Sequence, residues 1–296
     1  MGRLLILEGP DGAGKSTLLN QLKGETALQG AVFLHHGAYP ECGSAELFMK
    51  FVDSLRPLLE GRDVVLDRCW HSEPIYGPVY RGQSRLTRAQ VRMLDRIAIT
   101  YSARLALCLP ALETCLEVFN SRRGEEMLDN TDQLRAVYQQ YATWPNQLPT
   151  VIYNWQEPEA EVTYERLLTP ATAVPQFVLV GDSHGPEHLV GFEHVPFVSA
   201  SYNGCSWWLA EQLDSIGVPE RDLRFINAHQ ADGTETDPTE VFNLGPQIVV
   251  ALGSEATFWC QRHGIAYEAV LHPQYHKRFK YDQPYKLLEV INAFRE

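Results

Sequence analysis

Gly9-Pro10-Asp11-Gly12-Ala13-Gly14-Lys15-Ser16-Thr17 directly follows the apolar run Leu4-Leu5-Ile6-Leu7 near the start of the chain. Its first eight residues match the phosphate-binding loop G-x-x-x-x-G-K-[ST], between a predicted strand and a predicted helix as the motif requires. Glycines allow backbone N–H groups to close around a triphosphate without clashes from Cβ atoms. The sequence therefore predicts an ATP site made by this loop, in which Lys15 reaches the β- and γ-phosphates and Ser16 binds Mg²⁺.

The composition sets limits on the class of protein. The chain has 296 residues, a length typical of about two domains, and a net charge of -12. Of the charged residues, 17 basic and 21 acidic precede Pro170, and 8 basic and 16 acidic follow it. Because both halves are acidic, a large nucleic-acid footprint is disfavoured and only a small basic patch remains possible. No apolar run approaches the roughly 20 residues of a membrane span, and we expect a cytoplasmic protein with no membrane partner.

Two segments with alternating strand and helix patterns lie on either side of a short linker. In residues 1–168 apolar strands alternate with helical patterns, which predicts an α/β fold with a parallel sheet covered by helices on both faces. Residues 168–176 contain two prolines and no charge, as is typical of a linker. A second strand-loop pattern begins at Phe177 and predicts a smaller α/β domain over residues 177–296.

Charged residues outside the loop suggest how the phosphate would be transferred. Asp67 ends a predicted strand, where it would hold Mg²⁺ or accept a proton from an attacking hydroxyl. Arg122 and Arg123 are predicted to belong to a mobile lid that neutralises charge in the transition state; the alternative is an ordinary solvated face. A stripe of arginines spaced by four on one helix face favours a set of salt bridges over a ligand site; it consists of Arg88, Arg92 and Arg96.

The segment from Glu8 to Thr17, together with Asp67-Arg68-x-x-x-Ser72-x-x-x-Tyr76, resembles the thymidylate kinase family over residues 1–168. The resemblance implies a P-loop NTPase fold, ATP and Mg²⁺ as cosubstrates, and a pyrimidine or nucleotide near Arg68 and Tyr76. We expect Glu8, Trp70 and Ser72 to contact this acceptor as well; the alternative for Trp70 is a ring that only fills the pocket wall. Cys69 stands where the family has a tyrosine, and the bulkier Trp70 is among the residues that replace small ones. These departures predict an altered acceptor pocket and weaken the case for dTMP as the substrate.

Four fragments of the second segment resemble, in the same order, the uracil-DNA glycosylase superfamily. They are a glycine-acid loop that includes Asp182, a strand ending at Asn227, an apolar strand ending at Gly253, and a late loop that begins at His272-Pro273. The resemblance implies a uracil-DNA-glycosylase-like domain over residues 177–296 that contacts DNA. The first loop departs from the family pattern, which indicates a base-recognition module that has lost bond-cleaving chemistry.

The late loop fits DNA binding on physical grounds as well. The cations Lys277 and Arg278 are interleaved with aromatic residues in a segment that begins at His272 and includes Tyr275. Cations can meet phosphates while an aromatic ring stacks on bases or wedges between them. The alternative is a solvated surface loop.

The combination of these two domains resembles the phage DNA kinases that phosphorylate 5-hydroxymethyluracil in DNA during thymidine hypermodification. Asp67 is the first candidate for the general base, and Glu8 and Asp11 are alternatives. Two other hypotheses remain open. One is a kinase of dTMP or a modified dNMP with an accessory domain, and the other is a DNA glycosylase or DNA-binding module with an ATP switch.

Overall fold

A computed structural model describes residues 2–122, 128–144, 147–157, 160–169, 174–183, 185, 188–202, 204–244, 247–280 and 282–295. The elements in chain order are β1 (Leu4–Glu8), α1 (Lys15–Lys23), β2 (Val32–His35), α2 (Ser44–Leu55), β3 (Val64–Asp67), α3 (Ser72–Arg81), α4 (Arg88–Thr100), β4 (Arg104–Cys108), α5 (Leu112–Ser121), α6 (Thr131–Thr143), β5 (Thr150–Tyr153), α7 (Ala160–Leu168), β6 (Phe177–Gly181), α8 (Cys205–Ser215), β7 (Leu223–Asn227), α9 (Thr239–Phe242), β8 (Ile248–Leu252), α10 (Ser254–Arg262), β9 (Glu268–Val270), α11 (Pro273–Phe279) and α12 (Lys286–Ala293).

The chain divides into two compact units. The first contains Met1–Thr87 and Tyr101–Thr172, and its parallel sheet has the strand order β2-β3-β1-β4-β5. All five residues of β1 are buried, as expected for a central strand covered on both faces. The register places Asp67 opposite Leu7 and His35 opposite Asp67, so the carboxyl ends of β1, β3 and β2 meet at one edge of the sheet.

The second unit contains Arg88–Thr100 and Ala173–Glu296 and has its own parallel sheet, with the strand order β7-β6-β8-β9. Alternate residues of β6 belong to two different hydrophobic clusters. Phe177 and Leu179 pack with residues of α8 and α12, whereas Val178 and Val180 pack with residues of α9 and α10. Helices therefore cover both faces of this sheet, and the predicted α/β class is confirmed.

Helix α4 requires a correction to the domain organisation. The sequence places it in the first domain, because its neighbours along the chain belong there. In the structure its polar partners lie in the second unit: Arg88 pairs with Asp214, and the buried Arg92 and Arg96 both pair with the buried Glu220. The arginine stripe is thus a set of salt bridges, as the spacing favoured.

Other elements differ from the sequence patterns. The pattern does not predict helix α3, because Gly77 and Pro78 lie inside it and both residues are poor helix formers. The late loop of the second segment is partly helical, since Pro273 opens α11 at a position that needs no N–H donor. No helix in the described ranges combines the length and the apolar character needed to cross a bilayer.

Candidate functional site

The phosphate-binding loop joins β1 to α1 and has the backbone shape that its glycines allow. Gly9, Gly12 and Gly14 have φ values of 144°, 75° and 87°. A Cβ atom on Gly9 would lie 2.2 Å from the carbonyl oxygen of Cys108, and one on Gly12 would lie 2.7 Å from that of Cys115. Both the positive φ and the close neighbours exclude larger residues, so the loop keeps its open concave form.

Lys15 is buried at the start of α1, and its ammonium group faces back into the loop. Its Nζ atom donates to the carbonyl oxygens of Gly9 at 2.8 Å and Pro10 at 2.6 Å. Burial lowers the pKa of Lys15, and the nearby Arg68 guanidinium acts in the same direction. These carbonyl contacts hold the ammonium group at the loop. The phosphates of a bound nucleotide would replace the carbonyl oxygens as its partners.

A cavity of about 390 Å³ opens on this loop. Its lining combines loop residues with charged and aromatic side chains from the rest of the first unit. The residues from the loop and α1 are Asp11, Gly12, Ala13, Gly14, Lys15, Ser16 and Thr17, and those from elsewhere include His35, Asp67, Arg68, Ser72, Glu73, Tyr76, Arg81, Arg85, Arg122 and Trp155. The loop, its lysine and the carboxylate at the end of β3 are parts that phosphoryl transfer requires.

Asp67 lies on the cavity wall at the end of β3. Its Oδ2 atom is 2.9 Å from Nδ1 of His35, and its backbone carbonyl accepts from the N–H of His36. Its Oδ1 atom is buried and has no hydrogen-bond partner among the described residues. His35 therefore fixes one oxygen of this carboxylate. No motif marks this histidine, and its position at the end of the neighbouring strand β2 is the only hint of it in the sequence.

Glu8 is buried behind the cavity and does not line it. Its carboxylate accepts from the backbone N–H of Cys69 at 2.8 Å, from the hydroxyl of Ser72 at 2.9 Å and from the hydroxyl of Tyr141 at 2.5 Å. These donors engage both oxygens of the carboxylate and tie β1 to the start of α3. The prediction that Glu8 contacts the acceptor is thus corrected to a supporting role.

Arg68 lies on the wall of the cavity, and its cation is already paired. The guanidinium donates to the carboxylate of Asp11 and, at 3.1 Å, to the hydroxyl of Tyr76, and it lies 4.7 Å from the centre of the Tyr76 ring. The backbone of Arg68 has φ 67°, an uncommon value for a residue with a side chain. Arg68, Ser72 and Tyr76 all line the cavity, as the acceptor motif predicts.

A second ion-pair cluster lies on the cavity wall, and no motif of the sequence predicts it. The Glu73 carboxylate pairs with Arg81 and, at 3.0 Å, with Arg85. Arg85 also donates to the backbone carbonyls of Tyr39 at 2.6 Å and Ala38 at 2.8 Å. This guanidinium therefore fastens the loop after β2 to α3, and one carboxylate offsets two cations.

Two further predictions about this cavity have different outcomes. Trp70, predicted to bind the acceptor, is fully buried and packs edge-on against Phe51 and His71. It does not line the cavity, because its ring fills the core beneath the wall. Arg122 does line the cavity from just after α5, whereas Arg123 lies outside the described residues. The lid stays a prediction.

The residues present fit a nucleotide with Mg²⁺. The glycines leave a cradle that Cβ atoms would fill, and Ser16 lines the cavity beside Lys15. Asp67 adds a carboxylate at the same sheet edge, with one oxygen that has no partner in the described part of the chain. Hydroxyl and carboxylate oxygens are ligands that Mg²⁺ prefers, so Ser16 would hold it. Asp67 would either share that role or stay free as the general base.

The second unit has a cavity of about 460 Å³. Asn227 ends β7 and lines it; this side chain is 4% exposed, and its Nδ2 atom has no partner among the residues that the structure describes. Phe197, with φ 57°, lines the same cavity, and its backbone carbonyl accepts from Arg96 at 2.7 Å. A Cβ atom on Gly181 would lie 2.7 Å from both side chains, so this glycine permits the arrangement.

Asp182, predicted to contact DNA, does not line this cavity. Its Oδ1 atom accepts from the backbone N–H of Ala256 at 2.9 Å, in the first turn of α10. Its backbone carbonyl accepts from the N–H of His229. A carboxylate at a helix N-terminus stabilises the positive end of the helix dipole. Asp182 therefore joins β6 to α10, and its contact with DNA stays a prediction.

The predicted DNA-binding residues at the end of the chain lie on and before α11. His272 and Arg278 line the cavity, and Nδ1 of His272 accepts from the N–H of Gln274 at 3.2 Å. Tyr275 is 49% exposed, and its ring centre lies 5.0 Å from that of Phe279. Lys277 is half-buried on the same helix. The segment thus presents cations and an exposed aromatic pair together.

No protein-family model matches the chain, and no curated protein sequence matches it. Some solved structures have a similar fold. The YorR protein from Bacillus subtilis, in complex with phosphorylated GDP, is 21% identical, with 55% of this chain and 93% of that chain covered and a TM-score of 0.44. Deoxyadenosine kinase from M. mycoides with bound dATP is 13% identical, with 56% and 97% covered and a TM-score of 0.40. These similarities cover a little over half of this chain.

Proposed function

We propose that this protein is an ATP-dependent kinase that phosphorylates the hydroxymethyl group of 5-hydroxymethyluracil in DNA. The phosphate-binding loop supports phosphoryl transfer, and the observation that carries the choice of acceptor is the pairing of the cations on the cavity wall. Arg68 pairs with Asp11, and Arg81 and Arg85 share Glu73.

The paired cations favour a neutral acceptor over an anionic one. The phosphate of a free nucleotide carries nearly two negative charges, and its binding would require guanidinium groups that are open to it. Each of these three guanidinium groups already bonds a carboxylate, and the two carboxylates offset two of their three positive charges, so less charge is left to attract a phosphate. A hydroxyl group needs no charged partner, so the pairing of these cations favours a hydroxymethylated base over a nucleotide phosphate.

The transfer uses the residues around the loop. The acceptor hydroxyl oxygen forms a bond to the γ-phosphorus as the bond between that phosphorus and the β,γ-bridging oxygen breaks, and ADP leaves with the electron pair. Asp67 accepts the hydroxyl proton, since Glu8 is buried away from the cavity and Asp11 is bound to Arg68. Lys15 and Arg122 stabilise the charge on the transferred group. When bound, Mg²⁺ neutralises charge on the β- and γ-phosphates.

The second unit supports a DNA substrate through its own cavity. Asn227 offers an amide donor that is unpartnered within the described ranges, and Phe197 offers an aromatic ring. An unstacked base requires both, namely a hydrogen bond to its edge and a surface for its face. Arg278 and the exposed Tyr275 suit the phosphates and neighbouring bases of the strand. We propose that this unit binds DNA by recognising a base.

Phosphate transfer from γ-labelled ATP tests the proposal. The acceptors are dTMP, 5-hydroxymethyl-dUMP, a duplex with 5-hydroxymethyluracil and a matched thymine duplex. We expect label only in the hydroxymethyluracil duplex, and its loss in Lys15→Ala but not in Lys23→Ala, a control at the end of the same helix. Label in a free mononucleotide and none in DNA would instead establish a nucleotide kinase.

A further inference from the structure

Trp155 is a large exposed side chain on the wall of the phosphate cavity. Its exposed fraction is 45%, and it follows β5 at the sheet edge where the loop lies. A Cβ atom on Gly14 would lie 2.7 Å from Cδ1 and 2.9 Å from Nε1 of this indole. The ring thus touches the last glycine of the loop while much of its surface stays open.

The turn that carries Trp155 is held by hydrogen bonds on both sides of it. The N–H of Gln156 donates to Oδ1 of Asn154 at 3.0 Å, and the N–H of Glu157 donates to the carbonyl of Asn154. The hydroxyl of Thr114, on α5, donates to Oε1 of Gln156 at 2.9 Å. The indole is therefore presented by a fixed turn, and its ordering costs little when a ligand binds.

The strand order places Trp155 on one flank of the loop and the acceptor residues on the other. β3 and β2, which carry Asp67 and His35, lie on one side of β1, whereas β4 and β5 lie on the other. In phosphoryl transfer the attacking and leaving oxygens are roughly in line. With the acceptor on the Asp67 flank, the leaving ADP extends along the flank of β4 and β5, toward Trp155.

We propose that Trp155 is the platform on which the base of the phosphate donor stacks. This inference rests on the proposed phosphoryl transfer and names the residue that recognises the base of the nucleotide donor. Stacking on an aromatic ring tolerates different bases, because every base has a π-face. The site therefore accepts ATP and GTP with similar affinity, and binds pyrimidine nucleotides less tightly because their rings offer a smaller face.

Equilibrium binding of ADP and of tripolyphosphate, each with Mg²⁺, separates base recognition from phosphate recognition. We expect Trp155→Ala to raise the Kd of ADP roughly tenfold or more and to leave that of tripolyphosphate within about twofold. Trp155→Phe keeps an aromatic face and should retain most of the affinity. Tyr80→Ala removes an aromatic side chain of the same 45% exposure away from the cavity, and should change neither Kd.

Each outcome separates this inference from the proposed function. An unchanged Kd of ADP in Trp155→Ala would overturn the stacking role while the phosphate site stands. An equal rise for ADP and tripolyphosphate would also overturn it, because it would mean that the indole only supports Gly14. Wild-type protein that binds neither ligand would overturn the phosphoryl-transfer proposal as well. Similar Kd values for ADP and GDP, with a higher value for CDP, would support base-tolerant stacking.

Discussion

The two cavities of this protein differ in how their polar groups are satisfied. In the first unit the wall is charged, and Asp11 and Glu73 offset two of the three positive charges of its paired guanidinium groups. In the second unit the buried polar group is an uncharged amide, Asn227, whose donor has no partner among the described residues. Unmet hydrogen-bonding capacity in a buried site is costly until a ligand supplies the partner. This difference is the basis for the proposal that the first cavity carries out chemistry on a neutral group and the second recognises a base.

The largest effect is expected when the Lys15 ammonium group is removed from the first cavity. Lys15→Ala should lower kcat for phosphate transfer by roughly a hundredfold or more, since it removes a cation that stabilises the transition state. DNA binding by the second unit should stay within about twofold, which an anisotropy titration with labelled duplex would measure. Loss of DNA binding in this variant would break the division of roles.

Removing the uncharged donor should have a smaller effect. Asn227→Ala should weaken binding of a hydroxymethyluracil duplex roughly tenfold, the loss expected for one buried hydrogen bond and its desolvation. Binding of the same duplex with an abasic site at that position should be unchanged, as should Mg²⁺-ADP binding. Asn243→Ala, at an exposed position, is the control. Equal losses on both duplexes would mean that Asn227 does not read the base.

Asp11→Asn sharpens the argument about charge in the first cavity. The variant keeps the shape of the side chain and removes the charge that neutralises Arg68. We expect inhibition by 5-hydroxymethyl-dUMP to strengthen by up to about tenfold, because its phosphate gains a charged hydrogen bond. Steady-state inhibition assays would measure this, with Asp53→Asn as an exposed control. Unchanged inhibition would remove the main support for a neutral acceptor.

The smallest expected effect is on the pH dependence of stability, through His272 in the second cavity. Burial lowers the pKa of His272, and Asp182 acts in the opposite direction. The folded state therefore binds a proton less readily than the unfolded state, so His272 contributes stability above its unfolded pKa that is lost as pH falls below it. His272→Asn keeps a cap acceptor and removes the titration, and should reduce the fall in Tm between about pH 7.5 and 5.5 by about 2 °C or less. An unchanged pH dependence would show that other groups cause it.

Contiguous motifs predicted most of the first site. The loop from Gly9 to Thr17 is local, and its glycines and lysine have these roles because the backbone of one strand-loop-helix unit fixes them. The spacing from Asp67 to Tyr76 likewise predicted side chains that the structure places on the cavity wall. The prediction that Trp70 binds the acceptor was wrong, because the spacing of the motif does not determine on which side of the cavity wall this ring lies.

The α/β class, the phosphate loop and the charged segment near the end of the chain can all be read from the sequence, because each depends on neighbouring residues. Three other features follow only from long-range packing: α4 belongs to the second unit, Asp182 binds a helix N-terminus, and Phe197 and Asn227 share a cavity. These features join residues far apart in the chain, whose meeting is set by the strand order. Burial and pairing, which decide whether a charge is open to a ligand, are properties of that packing.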